Sequence, residues 1–185
     1  MTNLLKEKRF DFVSDGNKKF VIEFTKEMDL FGYDFGGEIG DGFYWGNYMI
    51  VYSQKSVKSK KIIARIYIRD DGVVIWGGKV NHFKNSIVLR LFFDDIDKHR
   101  EYIESAPPFI KEPFIVEDGY GVCQHCNYDC SSRRIYTING KQFEKCSESI
   151  FEFNNPKIEQ INDYMNILKE FYEEKTSGKK QKEYL

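Results

Sequence analysis

The sequence predicts an α+β fold, a two-layer sandwich in which helices cover one face of an antiparallel sheet. Residues 62–69 and 87–93 alternate apolar and polar side chains with the period of two that is typical of half-buried strands. Short turn-like segments separate the predicted strands, which favours antiparallel neighbours. Residues 20–31 instead repeat apolar side chains at helical spacing, as expected of a helix that packs on such a sheet.

The composition and net charge of the chain limit the classes of function that we expect. The 185 residues carry 28 basic and 29 acidic side chains, so no global field draws the protein to nucleic acid or to a membrane. We therefore expect neither of these partners, and we expect local recognition instead. The apolar signal region of a secreted protein is missing from the first eight residues, which favours a cytoplasmic location. We expect one domain over residues 1–175, with a cysteine-rich insertion at 119–148, and a frayed basic tail at 176–185.

The first half of the chain predicts a helix followed by a meander. Helix 20–31 ends at Gly32, where a left-handed residue commonly stops a helix. A glycine-broken stretch at 38–42 forms a short strand or a flexible lip before a strand at 44–53. Strands at 62–69, 73–80 and 87–93 follow, with short loops between them. We expect these four strands to pair in sequence order.

The second half predicts two helices around a hairpin. Asp94 and Asp95 are placed to cap a helix at 96–105, and Pro107 and Pro108 end or bend it. A strand at 150–153 follows the cysteine-rich stretch. Asn155 and Pro156 then suit the N-cap and first position of a last helix over 158–172.

All four cysteines lie in one stretch of the chain, with the spacing C-x2-C-x3-C-x15-C. Asn139 and Gly140 both tolerate the positive φ of a type I′ turn, so this stretch contains a predicted two-residue hairpin. Counting outward from the turn, Ile138 faces Lys141 and residue 133 faces residue 146. The hairpin therefore returns the last cysteine to the neighbourhood of the first three.

A structural zinc ion is the predicted occupant of this stretch. Tetrahedral Zn²⁺ takes four thiolates, and His125 is an alternative ligand in place of one sulfur. Disulfides, a redox-active pair at the first two cysteines and unbound thiols remain the alternatives. A closed four-sulfur site leaves no coordination position for substrate, so the metal is expected to stabilise the fold. The predicted ligands are Cys123, Cys126, Cys130 and Cys146.

Two groups of residues form the predicted ligand site. The second face of the sheet combines cations and flat rings, which suit an anionic or aromatic ligand. Aromatic residues beside the glycine-rich lip suit the wall of a pocket. The alternatives are ordinary sheet aromatics and a structural face whose arginines pair with acids such as Glu38. The face comprises Arg65, Tyr67, Arg69, Arg90 and Phe92, and the lip group comprises Glu38, Tyr44, Trp45, Tyr48 and Arg65.

These features favour a binding module that senses a small ligand for regulation, with a regulatory protein as a second partner. The alternative is a nucleic-acid or protein contact through the basic loop at 55–61, for which a solvated surface loop is the simpler interpretation. An enzyme of unknown reaction is the second alternative, although His82, His99 and His125 fall in no known catalytic motif. The loop lysines are Lys55, Lys58, Lys60 and Lys61.

Several segments carry a resemblance to known proteins. They are R-L-F-F-D-D-I-D-K-H-R-E-Y-I-E at 90–104, G-Y-D-F-G-G-E at 32–38, W-G-N-Y-M-I-V-Y-S at 45–53, the cysteine cluster, F-E-F-N-N-P at 151–156 and D-Y-M-N-I-L-K-E-F-Y at 163–172. With these segments the chain resembles an uncharacterised family of small bacterial cytoplasmic proteins, and its element order is remotely similar to YdhG-like and frataxin-like two-layer folds. The resemblance implies a two-layer fold and a loosely regulatory role, and it assigns no catalytic residue.

Overall fold

The computed structural model describes residues 1–54, 61–76, 79–115, 134–145 and 150–173. These residues form an α+β fold of helices and antiparallel strands. The strands are β1 (Tyr33–Asp34), β2 (Gly40–Asp41), β3 (Tyr48–Gln54), β4 (Ile62–Arg69), β5 (Gly72–Trp76), β6 (Lys79–Phe83), β7 (Ser86–Phe92), β8 (Arg134–Ile138), β9 (Lys141–Lys145) and β10 (Ile150–Asn154). The α-helices are α1 (Asp15–Leu30), α2 (Arg100–Ser105), α3 (Pro108–Ile115) and α4 (Ile161–Tyr172).

The main sheet has the order β1-β3-β4-β7-β10, and β2 pairs with β3. The predicted four-strand meander is wrong, because β4 pairs directly with β7. Residues 73–80, predicted as one strand, divide between β5 and β6 of a separate hairpin. In that hairpin Val73 pairs with His82 and Ile75 with Val80. Residues 73–76 are all apolar, so periodicity does not show where one strand ends and the next begins.

The predicted apolar face of the sheet is confirmed. Ala64 pairs with Leu91 and Ile66 with Leu89, and all four side chains are fully buried. Aromatic side chains of three helices contact this face by edge-on or stacked packing. The ring centroids of these pairs are separated by 5.5 Å for Phe24 of α1 and Tyr52, 4.0 Å for Phe114 of α3 and Phe151, and 5.0 Å for Tyr164 of α4 and Phe153.

Helix α1 begins earlier than predicted. The Ser14 side chain accepts a hydrogen bond from the backbone N–H of Asn17 and caps the helix, which therefore begins at Asp15. The predicted stop is confirmed, because Gly32 follows the helix with φ of 91°.

The predicted caps of the two later helices are wrong. Asp95 has φ of 54° and its side chain makes no cap hydrogen bond; its carboxylate instead pairs with Lys98. A 3-10 helix over Ile96–His99 therefore precedes α2. Asn155 has φ of 47° and donates its backbone N–H to Ile87 of β7, which binds it to the sheet. A 3-10 helix over Ile158–Gln160 then leads into α4.

The predicted hairpin of β8 and β9 is confirmed in its turn and register. Asn139 and Gly140 have φ of 50° and 72°, and Ile138 pairs with Lys141. The hairpin packs beside α3, where the Tyr136 hydroxyl donates to the Phe114 carbonyl over 2.7 Å. In the described ranges, no helix is both long enough and apolar enough to cross a membrane.

Candidate functional site

A row of charged side chains crosses the second face of the sheet. Arg65 of β4 pairs with Arg90 of β7, and Arg90 pairs with Glu152 of β10. Neighbouring strands lie about 4.8 Å apart, so the three charges stand side by side along the hydrogen-bonding direction. The row contains two cations and one carboxylate. Glu152 was not predicted as a site residue, because its position depends on which strand β7 accepts as its second neighbour.

Arg90 is enclosed within this row. Its side chain is 3% exposed, and its Nε donates to the Glu152 carboxylate. Its guanidinium carbon lies 4.0 Å from the ring centroid of Trp45 and 4.7 Å from that of Tyr67. A guanidinium between two aromatic faces gains cation–π attraction when water is excluded. Arg90 is therefore held by an acid and two rings, and it is buried rather than presented to solvent.

The loop before β3 carries Trp45 to this position. A Cβ at Gly46 would lie only 2.9 Å from the Ile68 carbonyl oxygen, so glycine lets the loop approach β4 closely. Arg69, at the end of β4, donates its Nε to the Trp45 carbonyl over 2.7 Å. Arg69 therefore positions the loop that covers Arg90.

Arg65 is less satisfied than Arg90. Its guanidinium carbon lies 5.1 Å from the Phe92 ring centroid, and its side chain is partly exposed. Its buried Nε has no hydrogen-bond partner in the described part of the chain. A buried donor without an acceptor costs about 1–3 kcal/mol, and a like charge directly across the strand pair adds repulsion. At Arg65 the row therefore has a hydrogen-bond donor without an acceptor, the Nε–H, and a positive charge that no carboxylate of the row balances.

Tyr48, a member of the predicted lip group, lies away from Arg65. Tyr48 pairs with Ile68 and so lies on the helix-covered face, where its ring centroid is 4.8 Å from that of Phe10. Ile68 and Arg65 are three residues apart in β4, and residues an odd number apart in one strand point to opposite faces. Tyr48 and Arg65 therefore lie on opposite faces of the sheet. Glu38 is exposed, and the acid that pairs with Arg90 is Glu152. Tyr44 belongs to the 3-10 helix Phe43–Trp45.

A cleft of about 500 Å³ lies beside β10, the last strand of the main sheet order. This volume is typical of small-molecule sites. The walls come from α3, the end of β9, β10 and the start of α4. The lining residues are Phe109, Glu112, Pro113, Lys145, Ile150, Glu152, Phe153, Asn154, Asn155, Lys157, Gln160 and Tyr164.

Lys145 is the most buried cation of the cleft. It is 7% exposed, its Nζ donates to the Pro113 carbonyl over 2.6 Å, and the ammonium lies 3.9 Å from the Phe151 ring centroid. Burial lowers the pKa of Lys145 to about 8, and the nearby Glu152 carboxylate opposes part of this effect. The sequence did not single out Lys145, because a lysine in an alternating hairpin resembles an ordinary exposed residue.

The predicted metal ligands Cys123, Cys126, Cys130 and Cys146, and the alternative ligand His125, lie outside the described residues. Within those residues, no group of three or more histidine, cysteine, aspartate or glutamate side chains is placed to hold a metal ion.

Of the predicted basic loop, Lys55, Lys58 and Lys60 also lie outside the described ranges. Lys61 is described, with its Nζ 3.7 Å from an Asp94 carboxylate oxygen and 4.8 Å from the Tyr172 ring centroid. This lysine is therefore engaged by the body of the protein.

The two described histidines differ in setting. His99 Nδ1 lies 2.8 Å from a Glu170 carboxylate oxygen, and its ring centroid is 4.0 Å from that of Phe171, whereas His82 is exposed. The contacts of His99 join the 3-10 helix before α2 to α4.

Comparison with known proteins assigns no relatives. The resemblance to small bacterial proteins and to frataxin-like folds stays a prediction. No protein-family model matches the chain, and neither the curated proteins nor the solved structures contain a significant match.

Proposed function

We propose that this protein binds a small anionic ligand on the second face of its sheet, with Arg65 as the principal contact. The observation that carries the proposal is the buried Nε of Arg65, which has no hydrogen-bond acceptor in the described part of the chain. Arg90, which pairs with Arg65 across the two strands, forms its ion pair with Glu152. The side chain of Arg65 is partly exposed, so a ligand can contact it, and a rotation of the guanidinium would bring the buried Nε within reach of that ligand.

An anion improves the energetics of the row in two ways. A carboxylate or phosphate can accept a hydrogen bond from the unpaired Nε–H of Arg65. A guanidinium binds such groups with two parallel hydrogen bonds. The negative charge also offsets the repulsion between Arg65 and Arg90. Phe92 lies beside the Arg65 guanidinium and offers a ring face to any flat part of the ligand. A small carboxylate or phosphate with a planar group fits these contacts best.

The test is calorimetric titration with a panel of phosphates, mono- and dicarboxylates and nucleotides. The informative variant is Arg65→Met, which keeps the stem but removes the charge, and the matched control is Arg100→Met at an exposed position of α2. We expect Arg65→Met to weaken binding about tenfold or more, the scale of one charge-assisted pair. The proposal fails if the wild type binds nothing in the panel or if Arg65→Met binds equally well.

The alternative of nucleic-acid binding through the basic loop has a different signature. Contacts with several phosphates weaken steeply as salt rises, because counterions are released on binding. An oligonucleotide arm of the titration at two salt concentrations therefore separates that alternative from a single anion site. Arg90 is unsuited to this comparison, because its loss would leave Glu152 without its buried partner.

We also propose a structural zinc ion held by Cys123, Cys126, Cys130 and Cys146. The support is the spacing of the cysteines together with the observed register of the β8–β9 hairpin, which pairs Arg134 with Lys145, one residue before Cys146 in the sequence. Metal analysis of protein purified under reducing conditions should find about one zinc per chain. Four thiols that titrate freely in the native protein, with no zinc, would end this proposal.

A further inference from the structure

The cleft beside β10 presents charges of both signs. Lys145 and Lys157 contribute the positive charges to its lining, and Glu112 and Glu152 the negative ones. Glu152 is committed to Arg90, whereas Glu112 and Lys157 are exposed and form no ion pair in the described ranges. A ligand of one sign meets both attraction and repulsion in such a cleft. A ligand that carries both signs meets a partner for each.

Lys145 supplies the strongest demand for an acceptor. An ammonium has three N–H donors, and the described structure gives Lys145 one hydrogen bond, to Pro113. The side chain is 7% exposed but lines the cleft, so an acceptor in the cleft can approach the remaining donors. A buried charge is costly unless its hydrogen bonds are completed. A carboxylate in the cleft would complete them.

The apolar wall of the cleft is aromatic. The Tyr164 ring contacts two phenylalanines, with its centroid 5.8 Å from that of Phe109 and 5.0 Å from that of Phe153, both in edge-on geometry. The Tyr164 hydroxyl is engaged by Gln160, so the ring faces of this group offer apolar contact rather than a free donor. Such a wall suits a hydrocarbon or aromatic side chain.

We propose that this cleft is a second ligand site, for a small zwitterion with an apolar side chain, whose carboxylate binds Lys145 and whose ammonium binds Glu112. Free amino acids and dipeptides share this chemistry, and the cleft of about 500 Å³ has room for either. The cleft shares Glu152 with the charged row, but Arg65 does not line it.

The ligand test compares whole zwitterions with their halves. Phenylalanine, leucine and the dipeptide leucyl-leucine are titrated by calorimetry beside phenethylamine, which lacks the carboxylate, and 3-phenylpropanoate, which lacks the ammonium. We expect phenylalanine to bind about tenfold more tightly than either half, because each half leaves one charge of the cleft unpaired. Comparison of the affinities of the two amino acids with that of the dipeptide shows which of these two ligand classes the cleft prefers. Equal binding of 3-phenylpropanoate and phenylalanine, or no binding of any zwitterion, overturns the proposal.

The variant test uses exposed positions, so that folding is preserved. Glu112→Gln should lower the affinity for phenylalanine about tenfold and leave 3-phenylpropanoate unaffected. Glu101→Gln, at an exposed position of α2, is the matched control and should change neither affinity. Arg65→Met should also leave phenylalanine binding unchanged, which separates this site from the anion site. A loss of phenylalanine binding in Glu101→Gln equal to that in Glu112→Gln would refute the assignment of the ammonium to Glu112.

Discussion

Substitution of Arg90 by methionine should destabilise the protein far more than its place on a sheet surface suggests. Arg90 is 3% exposed and bonded to Glu152, whose side chain is 15% exposed. The methionine side chain keeps much of the packing volume between Trp45 and Tyr67 but removes the charge. Glu152 is then left with a largely desolvated carboxylate that has lost this cation.

The magnitude follows from the burial of the pair. Loss of one partner of a buried ion pair costs about 3–5 kcal/mol, and the residual exposure of Glu152 places the cost near the lower value, about 3 kcal/mol. Removal of both charges removes the stranded carboxylate as well. The double variant Arg90→Met, Glu152→Leu should therefore be at least as stable as Arg90→Met alone, with a coupling free energy of about 2 kcal/mol.

The assay is urea unfolding at neutral pH, followed by far-ultraviolet circular dichroism, for the wild type, both single variants and the double variant. Arg100→Met is the exposed control and should lie within about 0.5 kcal/mol of the wild type. A loss below about 1 kcal/mol in Arg90→Met, or strictly additive single effects, would show that the charged row does not hold this face together.

Three further predictions concern other contacts. Thr25→Val should lower the free energy of unfolding by about 1–3 kcal/mol, because it leaves the hydroxyl of the fully buried Tyr52 without its partner at 2.7 Å. This loss should exceed that of Tyr52→Phe. Urea unfolding of both variants checks the order, and the reverse order would contradict the prediction. Gly140→Ala should cost about 1 kcal/mol, because φ there is 72°, and equal thermal midpoints would contradict this. Burial lowers the pKa of Lys145 to about 8, below its unfolded value of about 10.4, so the unfolded chain holds more protons between these pH values. The wild type should therefore gain up to about 2 kcal/mol relative to Lys145→Met as pH rises through this window, and urea midpoints at both ends of it test the sign.

Local patterns in the sequence predict the parts of the fold that local physics decides. The alternation in β4 and β7 specifies which side chains face the helices, and the Asn139-Gly140 turn fixes the β8–β9 register without help from the rest of the chain. The predicted second face is present as a surface of the sheet. The expectation that this face is exposed was wrong at Ile63, Tyr67, Val88 and Arg90, which are buried, because burial there depends on packing above the sheet.

The features that the sequence did not predict depend on distant partners. The pairing of β4 with β7 skips the β5–β6 hairpin, which forms a separate two-stranded sheet. The partnership of Arg90 with Glu152 requires that β10 lie beside β7. Asparagine is a residue type that commonly caps helices, but the backbone N–H of Asn155 donates a hydrogen bond to the Ile87 carbonyl across the sheet. In each case a tertiary contact overrides a local preference.

The attachment of the β8–β9 hairpin has a consequence for self-association. The backbone N–H groups of Thr137 and Asn139 donate to the side-chain carboxylates of Asp97 and Glu104 over 2.9 and 2.6 Å. An edge strand with open N–H groups is a template for another chain, and proteins protect such edges to avoid aggregation. Here two anchored carboxylates occupy the positions that an incoming strand needs. The same two bonds that join the hairpin to the 3-10 helix Ile96–His99 and to α2 therefore also protect the β8 edge against the addition of another strand.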